Sequence, residues 1–280
     1  MITAEQERHI ERHAYLPEQV PEYVTAVSQA EPYLFGDYVA YGKRGHVIFI
    51  GYPFDQAADE KRLEQAVGEA IRQLKPDTLS LIAPAIPPSL NPCPDSPTDS
   101  YHRLDLSSLS LSQKVRNMLT RAGREVTVGK APCFAAEHRR LVEEFLANRP
   151  VDEATNFIFR RIDAYVSASA TAAVFEARTG DGKLVAFDIA DFKPRDYAVY
   201  MFNFRSRSGY VPGASDLLLS AIIRQATGEG KRYLNLGLGI NPGVVFFKRK
   251  WGSEAFLPYA FCLYRPQKRK GLLEMLLQGL

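Results

Sequence analysis

At 280 residues, with 46% hydrophobic and 24% charged residues, the chain is long enough to bury one large core or two modest ones, and its composition excludes disordered, collagenous and membrane-spanning classes. A formal charge of +3 is too weak to indicate nucleic-acid binding without clustering on one face, but it leaves room for a small anionic ligand. Cys93, Cys133 and Cys262 are odd in number and far apart, which fits neither a disulfide framework nor paired metal ligands; three reduced thiols in a cytoplasmic protein are expected. The opening "MITAEQERHIERHAYLPEQ" alternates charges instead of presenting a signal peptide's apolar stretch, and no segment reaches the roughly 18 apolar residues of a membrane span.

Taken in order, the first 35 residues are charged and proline-punctuated and predict a short helix or two. "DYVAYGKRGHVIFIGYP" reads as two strands around a turn at "GKRG". Leu63, Ala66, Val67, Ala70, Ile71 and Leu74 recur at helical spacing, and "TLSLIAP" follows as a buried strand. The segment "PAIPPSLNPCPDSPTDS" holds six prolines in 17 residues, too many for regular structure, so an extended loop or lid is expected. "YHRLDLSSL" is strand-like, and Val115, Met118, Leu119 and Ala122 form the apolar face of a further helix.

From Ala131 a second series begins. Phe134, His138, Leu141, Val142, Phe145 and Leu146 stack on one helix face, and Ile158, Phe159, Ile162 and Val166 on another. "ATAAVFEARTGDGKLVAFDIADF" predicts a hairpin with "TGDG" as its turn, and "DYAVYMFNFR" a third strand. A helix with Leu218, Leu219, Ile222, Ile223 and Ala226 as its stripe should start at Ser215 as N-cap. The strand "RYLNLGLG", the short helix "GVVFFKRKW" and the strand "AFLPYAFCLYR" complete the series. The first half looks like an incomplete version of the same order.

This order and wording resemble the Fem-type peptidoglycan aminoacyltransferases and the related phosphatidylglycerol lysyltransferase domain. The resemblance rests on "LDLSSLSLSQKVRNMLTRAGREVTV", "GKLVAFDIADF", "GASDLLLSAIIRQATGEGKRYLNLGLG" and "GVVFFKRKWG", the last resembling a closing Phe-Lys-x-x-Phe-Gly pattern. It covers roughly residues 100 to 260, and the first hundred fit only as a divergent module. It implies an α/β fold of two tandem GNAT-like modules, each a mixed central sheet flanked by helices, at residues 1–130 and 131–280. Three departures are visible. Asn235 in "NLGLG" stands where Fem-type enzymes tend to carry Asp, "RSRSGYVPGAS" keeps the glycines and cations of a GNAT phosphate loop in another register, and no long helical hairpin is present.

The activity the resemblance implies is transfer of an acyl or aminoacyl group from an activated carrier to an amine or hydroxyl, with acyl-CoA, acyl-carrier protein or aminoacyl-tRNA as donor and no resident cofactor or metal. Lys248 matches the lysine of the closing pattern and would meet a phosphate or the developing oxyanion. Asn203, on the strand offering backbone N–H groups to the oxyanion, joins it as a catalytic candidate. Arg205, Ser206, Arg207, Ser208, Gly209, Gly213 and Ser215 would hold the donor phosphates at a helix N-terminus, and Asn235, Trp251, Tyr210 and His138 would line the cleft. Simpler readings stand beside these. Cations in a last helical turn satisfy the helix dipole, a glycine-rich loop can be only a loop, and a lone histidine on an apolar face is more often a core residue than a catalyst.

Val244, Val245, Phe246, Phe247 and Trp251 should anchor the "GVVFFKRKW" helix, with Trp251, the chain's only tryptophan, orienting Lys248. His102 lacks a visible partner, and Asp188 and Asp191, three apart on a strand, point to opposite faces. The tail "RPQKRKGLLEMLLQGL", with cations before leucines, reads as docking on its own domain or another subunit, or as weak membrane-surface contact that would suit a lipid-linked acceptor. The rival readings are a coenzyme A dependent N-acetyltransferase and a non-catalytic scaffold.

Overall fold

A computed structural model describes residues 2–55, 57, 59–90 and 98–266. The chain runs α1 (Ala4–His13), a 3-10 turn (Pro17–Gln19), α2 (Pro21–Ser28), β1 (Glu31–Phe35), β2 (Tyr38–Lys43), β3 (His46–Ile50), α3 (Glu60–Leu74), β4 (Thr78–Ala83), β5 (Thr98–Asp105), α4 (Gln113–Ala122) and β6 (Val126–Ala131). It continues with α5 (Ala136–Asn148), α6 (Glu153–Phe159), α7 (Ile162–Ala168), β7 (Ala172–Thr179), β8 (Leu184–Asp191), β9 (Tyr197–Arg205), α8 (Ala214–Gly228), β10 (Tyr233–Leu238), α9 (Pro242–Lys250) and β11 (Glu254–Tyr264). The mixed α/β class is as expected.

All strands join one sheet in the order β1-β2-β3-β4-β11-β5-β10-β9-β8-β7-β6. Strands β1 to β4 and β6 to β10 run inward from the two edges in chain order, and β11 and β5 lie between them. β5 follows β4 in the chain yet pairs with β10 and β11, and β11 follows β10 yet pairs with β4 and β5. The expected boundary at residue 130 falls within β6, which pairs with β7 at the far edge.

Local chemistry explains most element ends. The Asp59 carboxylate caps α3 by accepting the Arg62 N–H at 3.1 Å, Ser112 caps α4 through Val115, and Thr3 and Gln6 form a capping box on α1. Ser215 is not the N-cap of α8. Gly213 is, at φ 85 and without a side-chain cap, and a Cβ there would lie 3.0 Å from the Ala122 Cβ and 3.1 Å from the Met118 Cγ. Only glycine meets both conditions, and the tight approach docks α4 against the start of α8. β1 was not anticipated, and the single helix expected over 153–166 is two, broken at Arg160 and Arg161.

Sheet burial is two-sided where it matters. Leu218, Leu219, Ile222 and Ala226 of α8 pack on Ala190, Ala198, Leu234, Leu236 and Trp251. On the other face, Leu141, Val142, Ile162 and Tyr165 pack on Phe187, Ile189, Phe202 and Phe204. Every residue of β8 is therefore buried, so Asp188 and Asp191 are enclosed, one on each face. Asp191 is satisfied by Tyr165, Thr171, Ser169 and the Lys193 N–H.

Cys262, buried in β11, is disulfide-bonded, which corrects the expectation of three reduced thiols; Cys133 is free and exposed. Among the described residues no helix is long and apolar enough to cross a membrane. The cationic and leucine-rich part of the tail, from residue 267, lies outside the described residues, as does 91–97 of the proline-rich segment.

Candidate active site

β9 and β10 are the parallel pair on either side of α8. They pair over only three positions, Tyr233↔Tyr197, Leu234↔Ala198 and Asn235↔Val199, and beyond these they diverge. Both strands are irregular at the divergence. The β8–β9 register shifts so that Met201 has no partner between Tyr200 and Phe202, and the β10–β5 register shifts between Asn235 and Gly237. Bulges re-aim strands at the price of unpaired backbone groups, which must find partners elsewhere.

Three side chains meet that demand. Asn235 is fully buried; its Nδ2 donates to the Tyr15 carbonyl at 2.7 Å and its Oδ1 accepts the Gly237 N–H at 2.7 Å. An ionised Asp could not make the donation, which gives a physical reason for the amide. Asp99 of β5 holds the β10–α9 turn, accepting N–H groups from Gly239 at 3.1 Å and Ile240 at 2.7 Å. A Cβ on Gly239 would lie 2.6 Å from Asp99 Oδ1, so this approach too requires glycine. Lys248 is the third.

The Lys248 Nζ donates to the Leu238 carbonyl at 2.5 Å and lies near Gly237, whose Cβ position is in turn 4.0 Å from the Tyr200 carbonyl. Lys248 is the one residue of α9 that is buried, 3% exposed. Burial pulls its amine down to about 7, with Asp99 acting in the opposite sense. An amine poised there can accept or release a proton near neutrality. His102, also buried, faces Lys248 and Arg249; burial, then those two charges, lower its pKa, and its Nδ1 is 3.4 Å from the Ser253 Oγ.

The apolar residues of α9 do less than the sequence implied. Phe246 is 70% exposed, whereas Trp251 is 1% exposed. The Trp251 indole donates to Asp216 Oδ1 at 2.8 Å, and Lys250 pairs with the same carboxylate at 2.7 Å. Trp251 thus fastens the C-terminal end of α9 to the first turn of α8 and fixes the helix that carries Lys248.

Asn203 belongs to a second buried group beneath α8. Its Nδ2 donates to Asp188 Oδ1 at 2.5 Å and to the Ser215 Oγ at 3.2 Å. Burial raises the Asp188 carboxyl to about 8, against hydrogen bonds from Asn203 and Tyr200 and with Asp216 adding to the rise. Its Oδ2 and the Tyr200 hydroxyl lack well-formed partners.

The glycine-rich loop is largely self-satisfied. The Arg207 N–H donates to Glu144 at 2.6 Å and its guanidinium to Asn148 at 2.9 Å, while the Gly209 N–H donates to the Ser206 Oγ at 3.0 Å, with Ser208 beside it. Arg205 lies over Tyr210, itself 53% exposed. His138 is not at the fork: it stacks on Phe134 and packs against Phe187, accepts the Ala135 N–H at 2.8 Å, and has Glu176 2.8 Å away. Sequence reasoning missed Asp99, Tyr200 and Gly237. Asp188 and His102 were noticed but given no role, because only the fold brings either to this region.

No protein-family profile and no curated protein matches the sequence. Solved structures do. The C-terminal domain of a putative lysylphosphatidylglycerol synthetase from Agrobacterium fabrum superposes with TM-score 0.60 at 16% identity, over 98% of this chain and 95% of that one. FemX gives 0.61 at 10% identity, over 93% and 96%. A tandem GNAT protein from the clavulanic acid biosynthesis pathway gives 0.50 at 13%, over 82% and 79%. The chain has the Fem-type, GNAT-like fold. At these identities the likeness is one of fold.

Proposed function

We propose that the protein is an acyltransferase whose reacting centre is the fork between β9 and β10. The observation that carries this reading is the buried Lys248 amine at a point where two parallel strands part. An amine or hydroxyl attacks the ester or thioester carbonyl of an activated carrier, giving a tetrahedral oxyanion. Neutral Lys248 takes the proton of the attacking group, and the resulting ammonium stabilises the adjacent oxyanion. When the oxyanion collapses, the carrier's alcohol or thiol leaves with that proton. The edge of β9 beyond Val199, lacking a strand partner, supplies backbone N–H groups to the oxyanion. Asn203 positions this edge from beneath.

Carrier phosphates would sit at the start of α8, where Gly213 leaves the helix without a side-chain cap and Ser215 lies in the first turn. The Arg207 and Gly209 N–H groups and the Ser206 hydroxyl of that loop are engaged within the protein, which leaves fewer of its donors for a ligand. This disfavours a GNAT-style pyrophosphate grip and supports aminoacyl-tRNA or an acyl-carrier protein over acyl-CoA. The fold shared with a lysylphosphatidylglycerol synthetase domain supports a lipid-linked acceptor.

The test is donor binding followed by turnover. A donor at about 100 times its Kd should stabilise the fold by roughly 2.7 kcal/mol, so acetyl-CoA, acyl-carrier protein and aminoacyl-tRNA are compared by thermal shift. Stabilisation by one donor, with turnover lost in Lys248→Met while donor binding persists, supports the reading. No shift with any donor favours a scaffold.

A further inference from the structure

Among the described residues, the two most exposed of the large apolar side chains flank the start of α9. Ile240, in the turn after β10, is 75% exposed, and Phe246, in the helix itself, is 70% exposed. Neither enters a hydrophobic cluster of the fold. Single apolar residues scattered over a surface are ordinary, but these have apolar company. Pro242, Val245, Phe246 and Arg249 recur at helical spacing and, with Lys250, line a shallow depression. Lys248 is the one buried residue of this helix, and Phe246, two positions before it, points to the opposite side.

The charge around this tip has one sign. α9 carries three cations and no acid, and α4, with Lys114, Arg116 and Arg121, carries no acid either. The two helices are neighbours, because the Lys250 Nζ comes within 4.0 Å of the Met118 Sδ. Lys114 and Arg121 share the Met118 face of α4 by their spacing. Arg249, Lys114 and Arg121 are exposed and make no ion pair among the described residues. The acids beside α9 are committed inward: Asp216 to the Trp251 indole and Lys250, and Asp99 to the Gly239 and Ile240 N–H groups.

An apolar tip beside unpaired cations restricts what can cover it. A second copy would set these cations against their own counterparts across a two-fold axis. A patch on the order of 300 Å² is also far below the roughly 800 Å² per partner that a stable pair buries. A phosphate backbone would take the cations and leave Ile240 and Phe246 without apolar partners. An anionic bilayer takes both, with headgroup phosphates meeting Arg249, Lys114 and Arg121 while the apolar side chains enter the acyl boundary. Arg249, three positions after Phe246, can lay its methylenes along the apolar row and keep its guanidinium among the headgroups.

We propose that the β10–α9 turn and the outer face of α9, with Ile240 and Phe246 at its centre, dock the protein on the surface of an anionic lipid bilayer. The inference stands without the acyltransferase reading, because docking is measured with no donor and no turnover. Combined with that reading, it sets the fork at the lipid surface, since the helix that docks is the one that carries Lys248.

Co-sedimentation of the whole chain with vesicles tests this, comparing an equal mixture of phosphatidylglycerol and phosphatidylcholine with phosphatidylcholine alone. At about 0.1 M salt the mixed vesicles should bind at least about tenfold more tightly, and the difference should shrink severalfold at about 0.5 M. Phe246→Ser should weaken binding at least about tenfold and Arg249→Gln about fivefold, the scale for one cation at a charged surface. Both variants should keep the native melting temperature, because both side chains are exposed. Phe246→Trp reports position: its emission should be quenched by lipids brominated on their acyl chains, whereas the native chain, whose Trp251 is buried, should stay unquenched. Absence of binding to the mixed vesicles, binding undiminished in Phe246→Ser, or an unquenched Phe246→Trp overturns the proposal. The last two together would move the lipid contact to residues 267–280. Concentration-dependent pairing that Phe246→Ser abolishes, without vesicle binding, would make this face a contact between copies.

Discussion

Two parallel strand pairs in this sheet share an order of elements and part company at one point. β3 and β4, joined through α3, stay paired from His46↔Thr78 to Ile50↔Ile82, and the Gly51 N–H extends the contact to the Ile82 carbonyl at 2.6 Å. Their buried residues are apolar except for Ser80: Val47, Phe49, Ile50, Leu79, Leu81 and Ala83 complete the set. β9 and β10, joined through α8, separate after Val199 and Asn235. There the interior holds Asn235, Lys248, His102, Asp188 and Asp216. α3 starts with a side-chain cap from Asp59 and α8 with none. The closed pair shows what the arrangement does for stability alone. The open pair has given up ladder bonds and buried ionisable groups, a sacrifice expected at functional sites.

The largest effect should come from Lys248→Met. Turnover should fall at least about 100-fold, the usual scale for losing a proton-transfer group, measured as kcat with saturating donor. The fold should meanwhile gain stability at pH 7. The folded pKa, about 7, is below the ordinary 10.5, so between these values the unfolded chain holds a proton that the folded chain lacks. Native stability therefore rises with pH across that window, and the methionine variant should lose this slope in urea titrations. If the variant is less stable at pH 7 than the native chain, the amine is not buried as described.

Asp188→Asn sharpens the comparison from beneath the fork. The folded carboxyl is raised to about 8 from 3.8, so the folded state holds the extra proton and stability falls as pH rises from about 4 to 8. The slope can reach about 1.4 kcal/mol per pH unit. The amide copies the protonated acid, and stability at pH 8 should rise by a few kcal/mol while stability at pH 4 stays nearly level. An unchanged pH profile would mean that Asp188 ionises freely in the folded protein.

Trp251→Phe should cost about 1.5 to 3 kcal/mol, the worth of a hydrogen bond to a charged partner, because Asp216 loses the indole donor and keeps Lys250. If Trp251 positions Lys248, kcat should drop more than KM changes. A stability loss with kcat intact would confine Trp251 to packing.

The elements of this fold were legible because helices and strands announce themselves by period. The stripe of α8 survived into the structure almost unchanged, and β8 formed as a strand covered on both faces. The break between α6 and α7 was hidden because an apolar period of 3.6 runs straight through Arg160 and Arg161. The strand crossing was hidden for a different reason: the pairing of β5 with β10 and of β11 with β4 is non-local, and no spacing along the chain encodes it. The site divides similarly. Lys248 stood out through a local pattern, yet its burial was not visible, since a lysine in a last helical turn normally faces solvent. Asp99, 149 positions earlier in the chain, reaches the fork only through the crossing of β5.

The smallest expected effect concerns the turn that the open pair needs and the closed pair lacks. Ile240 adopts φ 62 and is 75% exposed, a conformation that costs a β-branched residue about 1 to 3 kcal/mol. Its N–H is held by Asp99 at 2.7 Å, so the surrounding hydrogen bonds impose the conformation. Ile240→Gly removes the strain but gives the unfolded chain about 0.5 to 1 kcal/mol of additional freedom, and the net gain should be about 1 kcal/mol by chemical denaturation. Because the same turn presents the Leu238 carbonyl to Lys248, loosening it should also lower kcat. A stabilised variant with full turnover would show that the strain serves the turn alone, whereas a destabilised one would show that Ile240 is not strained.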